Sequence, residues 1–242
     1  MFYLRAVAGA LGFAAAILYG IGLAIVRRDR SRVLRDASRA IARLTRRPLG
    51  IRVVVRGEER LHSTRPCIFI ANHQSALDIP ILAGIYPEDT ILIAKKEVLS
   101  YPLLGWFFAA SGNVPIDRSS PRRAVATLQR VEEAVRSHGL SVWIFPEGTW
   151  GKEPGRLLPF KKGAFRMAIA TGAPLVPIVV APLAPTFDLA ARRLGPGTVE
   201  VRVLDPIPVA GLTEEDVDAL AARAQSRMAA ALRELGGARR SV

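Results

Sequence analysis

Between Ala6 and Val26 the chain carries no charged residue. This run constrains the fold more than any other stretch. Backbone amides need partners wherever water is excluded, and a helix of roughly 20 residues supplies them while covering about 30 Å of hydrocarbon. Gly9, Gly12, Gly20 and Gly22 lie within the run. They weaken a helix in water but permit close helix packing in a membrane. The run therefore reads as a membrane element. A cleaved secretory leader is the competing reading, with Arg5 as a minimal basic start. Against it, the run is longer than a usual leader core, and Arg27, Arg28, Arg30, Arg32 and Arg35 follow at once in place of a polar cleavage zone. Basic residues beside an uncleaved span stay on the cytoplasmic side. The expected location is the cytoplasmic (inner) membrane, with the rest of the chain facing the cytoplasm.

From Val33 to Leu44 the residues Val33, Leu34, Ala37, Ala40, Ile41 and Leu44 recur at helical spacing, with Arg35, Arg39, Arg43, Arg46 and Arg47 around the other face. Such a basic amphipathic helix can lie on an anionic bilayer. Pro48 and Gly50 end it. The formal charge of +13 calls for an anionic partner, and nucleic acid, anionic lipid and a phosphorylated substrate are the candidates. The adjoining apolar run favours membrane lipids, and without a nucleic-acid-binding motif no nucleic-acid partner is expected. Residues 1–50 thus form a membrane-associated unit and residues 51–242 a catalytic domain. The lone cysteine, Cys67, excludes an internal disulfide, fits a reducing compartment and sits in an apolar strand as a structural thiol.

Seven short apolar runs read as strands: Ile51 to Val55, Cys67 to Ala71, Thr90 to Ala94, Asn113 to Ile116, Val142 to Phe145, Leu175 to Val180 and Val199 to Val203. Helical stretches alternate with them. Tyr101 to Ser111 is apolar. Ser120-Pro121 opens a helix that Gly139 closes, and Thr213 with Asp216 starts a final helix running to Leu235. The alternation defines an α/β fold. The second strand leads into His73, with Asp78 five residues on. Ligands of α/β sheets bind outside the carboxyl ends of the strands. If a helix starts after Gln74 or Ser75, Asp78 falls in its first turn and can reach back to His73. A carboxylate-held imidazole is a general base, although a helix-capping histidine with a first-turn aspartate would look the same. No Gly-x-Ser-x-Gly elbow is present to supply a serine nucleophile.

Four blocks taken in order make this chain resemble the glycerolipid acyltransferase family. They are Asn72-His73-Gln74-Ser75-Ala76-Leu77-Asp78; Lys95-Lys96-Glu97 through Gly105-Trp106 to Gly112-Asn113-Val114-Pro115-Ile116-Asp117-Arg118; Phe145-Pro146-Glu147-Gly148-Thr149 with Leu158-Pro159-Phe160-Lys161-Lys162-Gly163-Ala164-Phe165; and Val176-Pro177-Ile178-Val179. The resemblance implies a mixed β-sheet of about seven strands flanked by helices, with an N-terminal membrane-associated two-helix segment. It implies that His73 is the general base and Asp78 its orienting carboxylate. The reaction implied is acyl transfer from acyl-CoA or acyl carrier protein to the hydroxyl of 1-acyl-glycerol-3-phosphate, forming phosphatidic acid without an acyl-enzyme. No metal or resident cofactor is implied. Asn72, Arg118, Glu147, Gly148, Thr149 and Lys161 are the implied substrate-binding residues around a lysophospholipid acceptor. A guanidinium at the end of a strand suits a phosphate monoester, although a salt bridge from Arg118 to Asp117 is the plainer alternative.

One departure stands out. Where many family members carry an arginine after Glu-Gly-Thr, this chain has Trp150. Phosphate recognition would then rest on Arg118 with Lys152, Arg156 or Lys161, or the acceptor would be another lysophospholipid or an aminolipid. A non-catalytic basic protein that binds the membrane surface or nucleic acid is the remote reading. His62 lies in a polar loop without a partner at a telling spacing, His138 precedes a helix-ending glycine where a cation is favourable, and both read as structural.

Overall fold

The computed structural model describes residues 1–151, 153, 155–184, 187–188 and 191–237. Two long helices come first, α1 (Phe2–Val26) and α2 (Arg30–Leu49). They pack antiparallel, and glycines let them approach: a Cβ on Gly9 would stand 2.7 Å from the Leu49 side chain, and one on Gly20 2.8 Å from Ala37. At Gly12 the contact is backbone, since a Cβ there would lie 2.1 Å from the Leu44 carbonyl oxygen. That carbonyl is the one whose helical amide donor is missing, because Pro48 stands four residues on. The helix nevertheless continues through Pro48 to Leu49, and Gly50, in the left-handed region at φ 72°, ends it.

The apolar face of α2 is not free to lie on a bilayer, as its pattern suggested. Val33, Leu34, Ala37, Ile41, Ala42 and Leu49 are buried, and part of that face joins Ala16 and Ile17 of α1 in one cluster that also takes in Ala83 and Phe107. The exposed apolar row belongs to α1: Leu4, Val7, Leu11, Leu18 and Ile25 have no cover. This helix is long and apolar enough to cross a membrane.

Beyond α2 the chain continues with β1 (Ile51–Arg56), α3 (Arg60–Ser63), β2 (Ile68–Ala71), α4 (Asp78–Leu82), β3 (Thr90–Lys95), α5 (Leu104–Ala110), β4 (Val114–Ile116), α6 (Pro121–His138) and β5 (Ser141–Ile144). Then come α7 (Gly163–Thr171), β6 (Leu175–Val180), the short pair β7 (Phe187–Asp188) and β8 (Arg193–Leu194), β9 (Gly197–Val203) and α8 (Val217–Gly237). The expected capping residues act as such. Ser120 Oγ accepts from the Arg123 N–H, Pro121 opens α6 and Gly139 closes it. Thr213 and Asp216 form a capping box around a 3₁₀ turn that leads into α8.

All seven expected strands enter one sheet in the order β1-β9-β6-β2-β5-β3-β4. From β6 to β4 the neighbours run parallel, β9 joins β6 antiparallel, and β1 lies parallel to β9, so the sheet is mixed. Strands buried on both sides read as continuous apolar runs. Ile68 and Ile70 of β2 face a core shared with α6, α7 and α8, while Phe69 and Ala71 face the opposite core, with Trp143, Leu61 and Ile81. At the heart of the parallel block, β2 brings its carboxyl end between those of β5 and β6. Residues 72–78 leave the sheet there.

Candidate active site

Asn72, His73 and Gln74 follow β2, and alternate side chains diverge. Asn72 and Gln74 turn toward the end of β6. The Asn72 amide donates to the Val180 carbonyl (3.1 Å) and accepts the Val180 N–H (2.8 Å), with 1% of the residue exposed. Its polar atoms are taken up in joining two strands and do not face a substrate. Gln74 donates to the carbonyls of Val180 and Ala181 and accepts the Leu183 N–H. With both neighbours fastened, His73 is directed the other way.

Its imidazole is fixed on several sides. Nδ1 lies 2.8 Å from Asp78 Oδ2. The same oxygen accepts the backbone N–H groups of Gln74 (2.6 Å) and Ser75 (2.9 Å). Asp78 is the first residue of α4 and fully buried, at 0% exposure. It therefore closes the turn as a cap does and holds the imidazole as a catalytic carboxylate does. Phe145, just past β5, stacks on the ring with centroids 4.2 Å apart at 21°. Trp150 meets the ring edge-on, and its indole Nε1–H donates to His73 Nε2 at 2.6 Å. An indole N–H only donates. Nε2 is thus the acceptor, and the network assigns the neutral tautomer with its proton on Nδ1.

Glu147 supports His73 from behind. Its Oε1 accepts the His73 N–H (2.8 Å) and its Oε2 the Leu158 N–H (2.7 Å), at 3% exposure. The carboxylate is a brace between two loops, already engaged before any substrate hydroxyl could reach it. Burial pushes its pKa above the ordinary value, with the two amide donors pulling the other way. The Gly151 N–H closes the arrangement by donating to the His73 carbonyl at 2.9 Å.

Arg118, beyond β4, reaches Gly148 and donates to its carbonyl oxygen. Gly148 has φ 75°, and a Cβ there would stand 3.2 Å from the Arg118 Nη1 and 3.6 Å from Lys161 Cγ. A side chain would be strained in that backbone conformation and press on the Arg118 guanidinium, with the Lys161 stem at ordinary contact distance. Arg118, Gly148 and Lys161 thus come together. The alternative salt bridge does not form: Asp117 pairs with Lys96 (3.0 Å) and Arg123 (3.1 Å). The Ser119 hydroxyl, then Lys96, hold its carboxyl down at about 2. Lys162 is engaged with Asp218 of α8, and Arg156 with Glu153. Thr149 is exposed beside Trp150, and Lys152 lies outside the described residues. His62 and His138 are exposed, on α3 and at the end of α6. Cys67 is buried, which pushes its thiol up to about 12.

Three residues that help to position His73, Gln74, Phe145 and Gly151, carried no assigned role from the sequence. The one signal was an aromatic residue ending β5 just ahead of Pro-Glu-Gly.

A histidine held by a buried carboxylate at the carboxyl rim of a parallel block, with the Arg118 guanidinium on the neighbouring loop, is the arrangement of an enzyme site of the α/β class. The chain belongs to the acyltransferase family, whose pattern matches residues 52–181, and it is an acyltransferase. It is 36% identical over 245 aligned positions to the 1-acyl-sn-glycerol-3-phosphate acyltransferase of Saccharomyces cerevisiae, covering 98% of this chain and 79% of that protein. With the alpha 1-acyl-sn-glycerol-3-phosphate acyltransferase of Homo sapiens the identity is 37% over 186 positions, covering 77% of this chain and 65% of that one. The chain thus spans slightly under two thirds of the human relative. Its fold is similar to the crystal structure of the 1-acyl-sn-glycerophosphate acyltransferase from Thermotoga maritima, with a TM-score of 0.74, 24% identity and 97% of each chain covered.

Proposed function

We propose that this acyltransferase moves an acyl chain from a thioester to the free hydroxyl of a 1-acyl-glycerol-3-phosphate, forming phosphatidic acid, at the cytoplasmic face of a membrane. The names of its yeast and human relatives support the acceptor. The observation that carries the mechanism is the 2.8 Å contact between His73 Nδ1 and the buried Asp78 carboxylate. With its proton on Nδ1, the imidazole offers the Nε2 lone pair to a substrate.

The acceptor hydroxyl gives its proton to Nε2 as its oxygen bonds the thioester carbon. When the tetrahedral species collapses, the C–S bond breaks and the proton passes from the imidazolium to the departing thiolate. The Asp78 charge stabilises the imidazolium in between. The Arg118 guanidinium beside Gly148, with the stem of Lys161 alongside, suits the phosphate of the acceptor. The uncovered apolar row of α1 enters the lipid, and the arginines of α2 sit at head-group level, which favours the cytoplasmic side. Acyl-CoA and acyl carrier protein both fit as donors. Trp150, uncharged where the family resemblance leads one to expect an arginine, favours a second reading in which the acceptor is another lysophospholipid or an aminolipid.

The test is a panel of lysolipid acceptors against both donors, with His73→Ala as the blank. Transfer to 1-acyl-glycerol-3-phosphate that vanishes in His73→Ala supports the reading, and undiminished turnover in that variant removes His73 as the base. Arg118→Ala should raise the acceptor KM about 10- to 100-fold, as loss of a charged hydrogen bond does, and leave the donor KM unchanged.

A further inference from the structure

The atom that must receive the substrate proton is already hydrogen-bonded. His73 Nε2 accepts the Trp150 indole N–H at 2.6 Å, so a hydroxyl cannot deliver its proton until the indole has left. The loop is tied to the His73 backbone on either side of Trp150, by the Glu147 side chain before it and the Gly151 backbone after it. Glu147 accepts the His73 N–H at 2.8 Å, and the Gly151 N–H donates to the His73 carbonyl at 2.9 Å. The loop is therefore anchored, while Trp150 itself is 50% exposed. Rotation of an exposed side chain needs no loop opening and takes picoseconds to nanoseconds. The indole is also uncharged. It neutralises nothing at the site and occupies the lone pair alone.

We propose that Trp150 is a removable cover on the base: it occupies Nε2 in the resting enzyme and swings aside when an acceptor lipid binds. The proposal rests on His73 acting as the base. Its consequence is protection of the acyl donor. An open Nε2 would take a proton from water, the water oxygen would bond the thioester carbon, and the C–S bond would break to give a free carboxylic acid and a thiol. A lone water brings no phosphate or acyl chain to be bound and so nothing to offset the lost indole bond, whereas the acceptor brings both.

The experiment uses the full chain in detergent without substrates. Diethyl pyrocarbonate acylates an imidazole at a free lone pair, and mass spectrometry reads each histidine separately. Exposed His62 is a reference within the same molecule, and exposed His138, whose Nδ1 meets the Ser137 hydroxyl at 2.8 Å and whose Nε2 reaches solvent, is a second. Trp150→Phe keeps an aromatic ring and removes the N–H. The rate at His73 relative to the two references should rise about fivefold, the factor that one net hydrogen bond sets. Trp150→Leu, which removes the ring as well, should raise it at least as far. An unchanged ratio in both variants overturns the proposal. Acceptor-free thioester hydrolysis, followed by thiol release, should rise by a similar factor in Trp150→Phe and not in the His73→Ala, Trp150→Phe double variant. A rise that persists in the double variant also overturns it, since the water would then be activated by something other than His73. If lysolipid transfer survives His73→Ala, the proposed function fails instead, and the labelling still reports on the cover.

Discussion

One oxygen of Asp78 receives three donors: His73 Nδ1 at 2.8 Å and the backbone N–H groups of Gln74 and Ser75 at 2.6 and 2.9 Å. The carboxylate therefore folds the turn and orients the imidazole together. Asp78→Asn can keep one acceptor but loses the charge opposite the imidazolium. Its kcat should fall by roughly 10² to 10⁴, the range for general-base catalysis, with a small change in melting temperature. Asp78→Ala should fall as far in kcat and also lose about 1–3 kcal/mol, because buried amides lose their acceptor. Parallel kinetics and thermal unfolding separate the two effects; equal melting temperatures for both variants would contradict the turn-closing role.

Asn72 gives the opposite pattern. Its amide spans β2 and β6 through the N–H and the carbonyl of Val180. Asn72→Ala strands a buried donor and acceptor, so stability should drop by about 1–3 kcal/mol. In the fraction that stays folded, the acceptor KM should be unchanged. A raised KM with unaltered stability would make Asn72 a substrate contact after all.

Gly12 packs against backbone, and Gly22 faces open space, with nothing within 4 Å of a Cβ. Helix propensity alone favours alanine at both positions by about 1 kcal/mol. Gly22→Ala should therefore be neutral or stabilising. Gly12→Ala forces a Cβ to within 2.1 Å of the Leu44 carbonyl and should cost about 1–3 kcal/mol as an overpacked contact. It should also loosen α1 and uncover Val33, Leu34 and Ile41, which limited proteolysis of the α1–α2 hairpin would detect. Identical digestion of the two variants would mean that the helices do not need this approach.

The contrast between these residues explains what the sequence discloses. His73 and Asp78 are legible because a strand-to-helix turn brings residues five apart together by local geometry. The seven strands are legible because burial on both faces leaves uninterrupted apolar runs. The partner of Asn72 is not, because it lies 108 residues away and is a peptide group that any residue would offer. The apolar face of α2 is legible from its period, but a period does not say what covers the face, and α1 takes the place that the bilayer seemed to claim. Arg118 is legible as a strand end. Its meeting with Gly148 depends on β4 and β5 opening on one rim with β3 between them. Trp150 is legible only as a departure, since nothing in its neighbours foretells that the indole reaches Nε2.

Glu147 supplies a test by pH. Burial raises its pKa in the folded protein above the ordinary 4.5, while the amides of Leu158 and His73 oppose the shift without cancelling it. Between 4.5 and the raised value the folded state holds a proton that the unfolded state has released, so the slope of stability with pH is negative there. The contribution of Glu147 is thus complete below 4.5 and diminishes as pH rises through the folded value. Glu147→Gln has no proton to exchange and so removes this slope. It also turns an amide NH₂ toward one of the two backbone donors, costing about 1–3 kcal/mol through an unmade bond. Melting temperatures in one detergent from pH 4.5 to 7 should therefore show the advantage of wild type over Glu147→Gln shrinking as pH rises. An advantage that grows with pH would mean that the two amide bonds outweigh burial and hold the carboxyl below its ordinary value.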